Sequence, residues 1–147
     1  MFLDDEDDFG CNIELPKGTE YSLPEYKYPW NDSLLKFNNL VIYNQSPGVY
    51  DYRFCHQFES SGEIYIKAYE VTDNIRLSSE RLKNRSTVNV DNGQQLTCYG
   101  SESGIKIYEG NGVCKYVARF EVWFKGNNQL KEIKLFEKNY LITGWRR

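Results

Sequence analysis

From Leu34 onward, apolar and polar side chains alternate with a period of two through most of this chain. The clearest run is KYVARFEVWFK, residues 115–125. Tyr116, Ala118, Phe120, Val122 and Phe124 fall on one side, and Val117, Arg119, Glu121 and Trp123 on the other. Only an extended backbone sends successive side chains to opposite faces, so this run predicts a strand with one apolar face. Its length and its β-branched and aromatic content predict a place in the middle of a sheet.

The same reading extends in both directions. FNNLVIYN (37–44) has the apolar centre of a strand, and Ser46-Pro47-Gly48 marks a turn. VYDYRFCHQF (49–58) and EIYIKAYEV (63–71) both alternate, and the short Ser60-Ser61-Gly62 link between them predicts an antiparallel hairpin. LSSERLKNRS (77–86) breaks the rhythm. A serine at 78 or 79 is placed to cap a helix of about two turns, with Leu82 inward and Arg81 and Arg85 on one side. STVNV (86–90) and QLTCY (95–99), around Asn92-Gly93, predict a second short hairpin; GIKIYEG (104–110) predicts a further strand. KEIKLFEKNYLIT (131–143) predicts the last long strand, with a bulge where its alternation slips near Phe136. Parallel sheets need long crossover connections, which this chain lacks. The pattern therefore predicts an all-β fold: an antiparallel β-sandwich of about eight or nine strands, with at most one short helix near residues 78–85.

Composition refines this picture. The 147 residues suffice for one domain with a real core. Twelve tyrosines against one methionine suit sheets whose outer faces are wet and disfavour a helical bundle. The net charge of −3 is divided unevenly. Residues 1–33 hold nine acids and two bases, a net of −7, whereas residues 34–147 hold twelve acids and sixteen bases, a net of +4. Residues 1–33 thus read as an acidic, proline-containing arm, partly disordered, and residues 34–147 as the sandwich domain. Within the arm, Pro16, Pro24 and Pro29 oppose helix, and its aromatic residues suggest an extended segment lying on the domain surface.

No basic start followed by an apolar stretch resembles a signal peptide, and no apolar run has the length of a membrane span. The expectation is a cytoplasmic protein whose four cysteines, Cys11, Cys55, Cys98 and Cys114, are reduced thiols. With one histidine, scattered cysteines and no EF-hand spacing, the sequence offers no metal site and implies no cofactor. It offers no catalytic residues either. His56 has no second histidine to work with, and on a strand its neighbour Cys55 points to the opposite face. No phosphate loop, nucleophile elbow or zinc-protease helix is present.

What remains points to binding. Tyrosine, tryptophan and arginine dominate the anchors of protein interfaces. The candidate partner-binding residues are Tyr50, Tyr52, Tyr65, Tyr69, Arg81, Arg85, Trp123 and Trp145, joined by the acidic run Asp4, Asp5, Glu6, Asp7 and Asp8. The basic cluster Arg76, Arg81, Lys83 and Arg85 suits a phosphate backbone, but the acidic arm opposes nucleic acid.

The segments GEIYIKAYEVT, IKIYEG, ARFEVWFK and KLFEKNYLITGWRR resemble a group of small β-rich bacterial proteins, some encoded near polymorphic toxins. The resemblance spans roughly residues 35–147 and rests on strand patterns, so no site residue carries over. It implies an immunity-type protein that neutralises a toxin by occlusion, with the acidic arm set against a basic active-site surface. The alternatives are a carbohydrate-binding module using an aromatic platform, or a structural component of a secretion or phage-like assembly.

Overall fold

The computed structural model describes residues 13–24, 39–93, 95–110 and 114–145. The acidic run 4–8, Cys11 and the stretch 25–38 lie outside the described residues.

Among the described residues, eight strands form two antiparallel sheets. One has three strands in the order β1 (Asn39–Ser46), β2 (Val49–His56) and β6 (Thr97–Lys106). The other follows β4 (Ile75–Leu77), β3 (Gly62–Glu70), β7 (Tyr116–Gly126) and β8 (Glu132–Ile142), with β5 (Val88–Val90) also paired to β3. The fold is an all-β sandwich, as the alternation predicts. β7 is central to its sheet, with Ala118, Phe120, Val122 and Phe124 turned into the buried cluster. The bulge near Phe136 is present: Val122 pairs with Phe136 and Trp123 with Lys134, so Leu135 is the extra residue.

Tyrosines tie the layers together. Tyr140 on β8 donates across the core to the Leu40 carbonyl at 2.7 Å. Tyr52 on β2 donates to the Ser86 carbonyl at 2.6 Å. The Tyr50 hydroxyl donates to the Thr143 carbonyl at 3.0 Å and accepts the Thr143 N–H at 2.9 Å. A buried ring supplies apolar area, and its hydroxyl must find a partner.

The outer edge of β3 is shared by two short strands. β5 pairs with residues 62–64 and β4 with residues 68–70. Between them the chain leaves the edge to form helix α1 (Ser79–Ser86), which fills the gap. There the Ile66 N–H, with no strand opposite, is accepted by the buried Ser86 Oγ at 2.8 Å. Leu82 turns into the core while Arg81 and Arg85 stay exposed, the arrangement expected from their spacing.

Three expectations about connectivity are corrected. β2 and β3 are not a hairpin: they lie in opposite sheets, and the 57–61 link crosses between layers. The runs 86–90 and 95–99 likewise separate, β5 joining β3 and β6 joining β2. The runs 95–99 and 104–110 are not two strands, since β6 extends unbroken from Thr97 to Lys106. It absorbs its irregularity in a bulge, where Tyr50 pairs with Ile105 but Tyr52 with Ser101. Buried Asp51 clamps this bulge, accepting the Gly104 N–H at 3.0 Å and the Gln45 side-chain amide.

The expectation of reduced thiols is overturned. Cys55 and Cys98 stand directly opposite each other on β2 and β6, Cα atoms 4.0 Å apart, and form a disulfide. Cys114 is disulfide-bonded too, so it is not the free turn thiol its position suggests. On the chain-entropy account, a cross-link at a separation of 43 residues contributes about 4 kcal/mol of stability.

The described part of the arm turns at residues 17–18, where the Thr19 N–H donates to the Pro16 carbonyl at 3.1 Å, and then runs as a strap along the sheet edges. Glu20 bridges in parallel to Tyr140, donating its N–H to the Asn139 carbonyl and accepting the Leu141 N–H, both at 2.9 Å. Four residues on, the Pro24 carbonyl accepts the Asn44 N–H of β1 at 2.9 Å. The strap therefore runs from the open edge of one sheet to the open edge of the other, and the Glu20–Lys138 ion pair at 3.1 Å pins it. Among the described residues no helix is long and apolar enough to cross a membrane.

Candidate anion-binding cleft

Helix α1 begins at Ser78, which has a left-handed backbone (φ 51°) and no side-chain cap to the helix. Its hydroxyl is used elsewhere. It donates to Glu109 Oε1 at 3.0 Å and accepts the Tyr108 N–H at 3.1 Å, while the Ser78 N–H reaches Glu109 Oε2 at 2.8 Å. These three bonds fasten the helix start to the segment that follows β6.

The chain after β8 closes on the same segment. The Trp145 N–H donates to the Ile107 carbonyl at 2.6 Å, and the Ile107 N–H donates to the Gly48 carbonyl at 3.0 Å. Gly48 has φ +79°, and a Cβ there would lie 2.1 Å from the Trp145 Cα, so only glycine admits the closure. Trp145 is thereby set beside Tyr108, their rings edge to face at 5.4 Å.

The result is an open cleft of about 340 Å³ lined by Arg81, Arg85, Gly104, Lys106 and Tyr108. Lys106 Nζ stands 4.1 Å from the Trp145 ring centre, and Arg81 Cζ stands 4.9 Å from that of Tyr108. Arg81 and Arg85, four residues apart, project from one face of the helix. Among the side chains that the structure describes, which exclude those of residues 102 and 103, no carboxylate forms an ion pair with Arg81, Arg85 or Lys106. Of the nearby acids, Glu109 is engaged by Ser78, and Asp51 is buried at the bulge.

The outer face of the five-stranded sheet contrasts with this cleft, for there charge is matched. Glu121 accepts Arg119 Nε at 2.7 Å and Trp123 Nε1 at 2.9 Å. Glu132 accepts both Lys67 and the Tyr65 hydroxyl. Burial alone would raise the Glu132 carboxyl, but its hydrogen bonds from Lys67 and Tyr65 hold it below the ordinary carboxylate range. Burial and the same carboxylate push the Tyr65 hydroxyl well up, so it stays protonated. Lys67 lies over Trp123 at 4.1 Å, and Arg119 over Tyr69 at 4.9 Å. This network holds β3, β7 and β8 together; at its β4 edge, two guanidinium nitrogens of Arg76 are buried without a hydrogen-bond partner.

The candidate partner-binding residues thus divide. Arg81, Arg85 and Trp145 converge on the cleft. Tyr69 and Trp123 are half-buried in the outer network. Tyr50, Tyr52 and Tyr65 are removed from any contact surface, because all three are buried and their hydroxyls are already bonded. Asp4, Asp5, Glu6, Asp7 and Asp8 lie outside the described residues. His56 stacks on Phe54 at 5.6 Å and meets Phe58 edge-on at 4.7 Å, an aromatic setting and not a dyad. Lys106 and Tyr108 are the members that sequence reasoning missed. Their signal was the IKIYE alternation, which sets both opposite Ile105 and Ile107. Among the described residues, no group of three or more His, Cys, Asp or Glu side chains is placed to hold a metal ion.

No protein-family model matches this chain, and neither does any curated protein or solved structure.

Proposed function

We propose that this chain is a non-enzymatic protein-binding protein whose recognition surface is the cationic cleft, and that it acts by occluding an acidic surface of its partner. One observation carries the reading: three converging cations with no described acidic counterpart, two of them held over aromatic rings. Like charges one helical turn apart repel, so the arrangement lowers stability unless an anion is met. Held cations lose less freedom when that anion arrives. An inhibitor of the immunity type works by such occlusion, but the sign of the cleft favours an acidic target over the basic one that residues 4–8 suggest. The Cys55–Cys98 disulfide favours an oxidising compartment as the place of action over the cytoplasm.

Calorimetric titration with a glutamate-rich peptide tests the proposal. Binding should weaken steeply with added salt, and R81E/R85E should lose at least about tenfold in affinity, or ~1.4 kcal/mol. Equal affinity of the variant and the parent, or no binding at low salt, would overturn it.

A further inference from the structure

One face of each aromatic ring in the cleft is already taken. Lys106 lies over the Trp145 ring and Arg81 over the Tyr108 ring, and the two rings meet edge to face. On those faces a base or sugar would have to displace a cation to stack. What the cleft presents to a ligand is therefore charge and N–H donors.

The number and origin of those donors narrow the ligand further. Two guanidinium groups reach from α1, and one ammonium comes from the end of β6. A single carboxylate offers two oxygens that lie in one plane. A phosphate or sulfate monoester offers three acceptor oxygens pointing in different directions, and the phosphate adds a charge of about −1.5 to −2 at neutral pH. Arginine forks suit such oxygens in pairs, and clustered arginines are a recurring means of recognising them. The volume, about 340 Å³, admits such a group with its linking side chain, and the cleft is open where the rest of a polypeptide would leave.

Resting on the protein-binding reading above, we propose that the group seated between Arg81, Arg85 and Lys106 is a tetrahedral oxyanion ester, a phosphate or sulfate on a side chain of the partner protein. The cleft thereby distinguishes a modified partner from an unmodified one of similar acidity.

The test uses the full chain and one peptide scaffold carrying phosphoserine, sulfotyrosine, aspartate or serine at its centre. The phosphorylated or the sulfated form should bind at least about tenfold tighter than the aspartate form; whichever leads identifies the ester. R81K/R85K, which keeps the charge but loses the forks, should remove most of that preference while retaining weak binding. An unchanged thermal midpoint would exclude misfolding as the cause. An aspartate peptide bound as tightly as the esters would overturn the ester proposal and leave the acidic-partner reading standing. If no peptide binds, both readings fall. Inorganic phosphate or sulfate competing at the concentration of the peptide would overturn the protein source, because the site would then take the free ion.

Discussion

Several side chains in this protein do work that their residue type alone does not announce. His56 is the only histidine, so it is the one side chain whose ordinary titration range lies between about pH 5 and 8. Its burial beside Phe54 and Phe58 lowers its pKa below 6.5, with the charge of Glu59 pulling less strongly the other way. Between the folded value and 6.5 the unfolded chain takes up a proton that the native chain refuses. Stability contributed by neutral His56 is therefore full above 6.5, lost as pH falls below it, and level once the folded value is passed. Denaturant midpoints measured from pH 7 downward should fall in the parent as the pH drops through 6.5 and fall less in His56→Asn. Parallel curves would contradict this account of the ring's environment.

At the scale of elements, the clearest case is the edge of β3, where a helix is inserted between β4 and β5. Ser86 makes the insertion compatible with a continuous sheet, because its hydroxyl accepts the Ile66 N–H and donates to the Leu82 carbonyl at 2.6 Å. Ser86→Ala leaves a buried backbone donor without a partner and should cost about 1–3 kcal/mol. Chemical denaturation measures that directly. A loss under about 0.5 kcal/mol would mean that water or a shifted strand meets the Ile66 N–H equally well. The same helix brings Arg81 and Arg85 to the cleft, so one inserted element serves both the closure of the sheet and the candidate site.

For the molecule as a whole, the faces of strands were legible in the sequence and their partners were not. Alternation is a local property, and it correctly turns Phe120 and Val122 inward and Arg119 and Glu121 outward. Sheet membership depends on contacts between distant residues, and a link such as Ser60-Ser61-Gly62 serves a hairpin and an interlayer crossing alike. Cysteine spacing failed for a similar reason: Cys55 and Cys98 are 43 residues apart and become opposite only when β6 pairs with β2. The tyrosines misled because a phenol is compatible with water and with a backbone carbonyl, and Tyr50 and Tyr52 have taken carbonyls. Half of the cleft was readable, since Arg81 and Arg85 lie one turn apart. Lys106, Tyr108 and the seat of Trp145 required the closure at Gly48.

Residue, element and fold converge on the claim that partners meet this protein at the α1–β6 cleft and not on the charge-matched outer sheet. Backbone and indole amide shifts, followed by NMR while a glutamate-rich peptide is added, test that claim most directly. The account predicts that changes concentrate in α1, in residues 104–108 and at the Trp145 indole, with Tyr69, Arg119 and Trp123 unmoved. Changes centred on Trp123 and its neighbours, with the cleft silent, would contradict it.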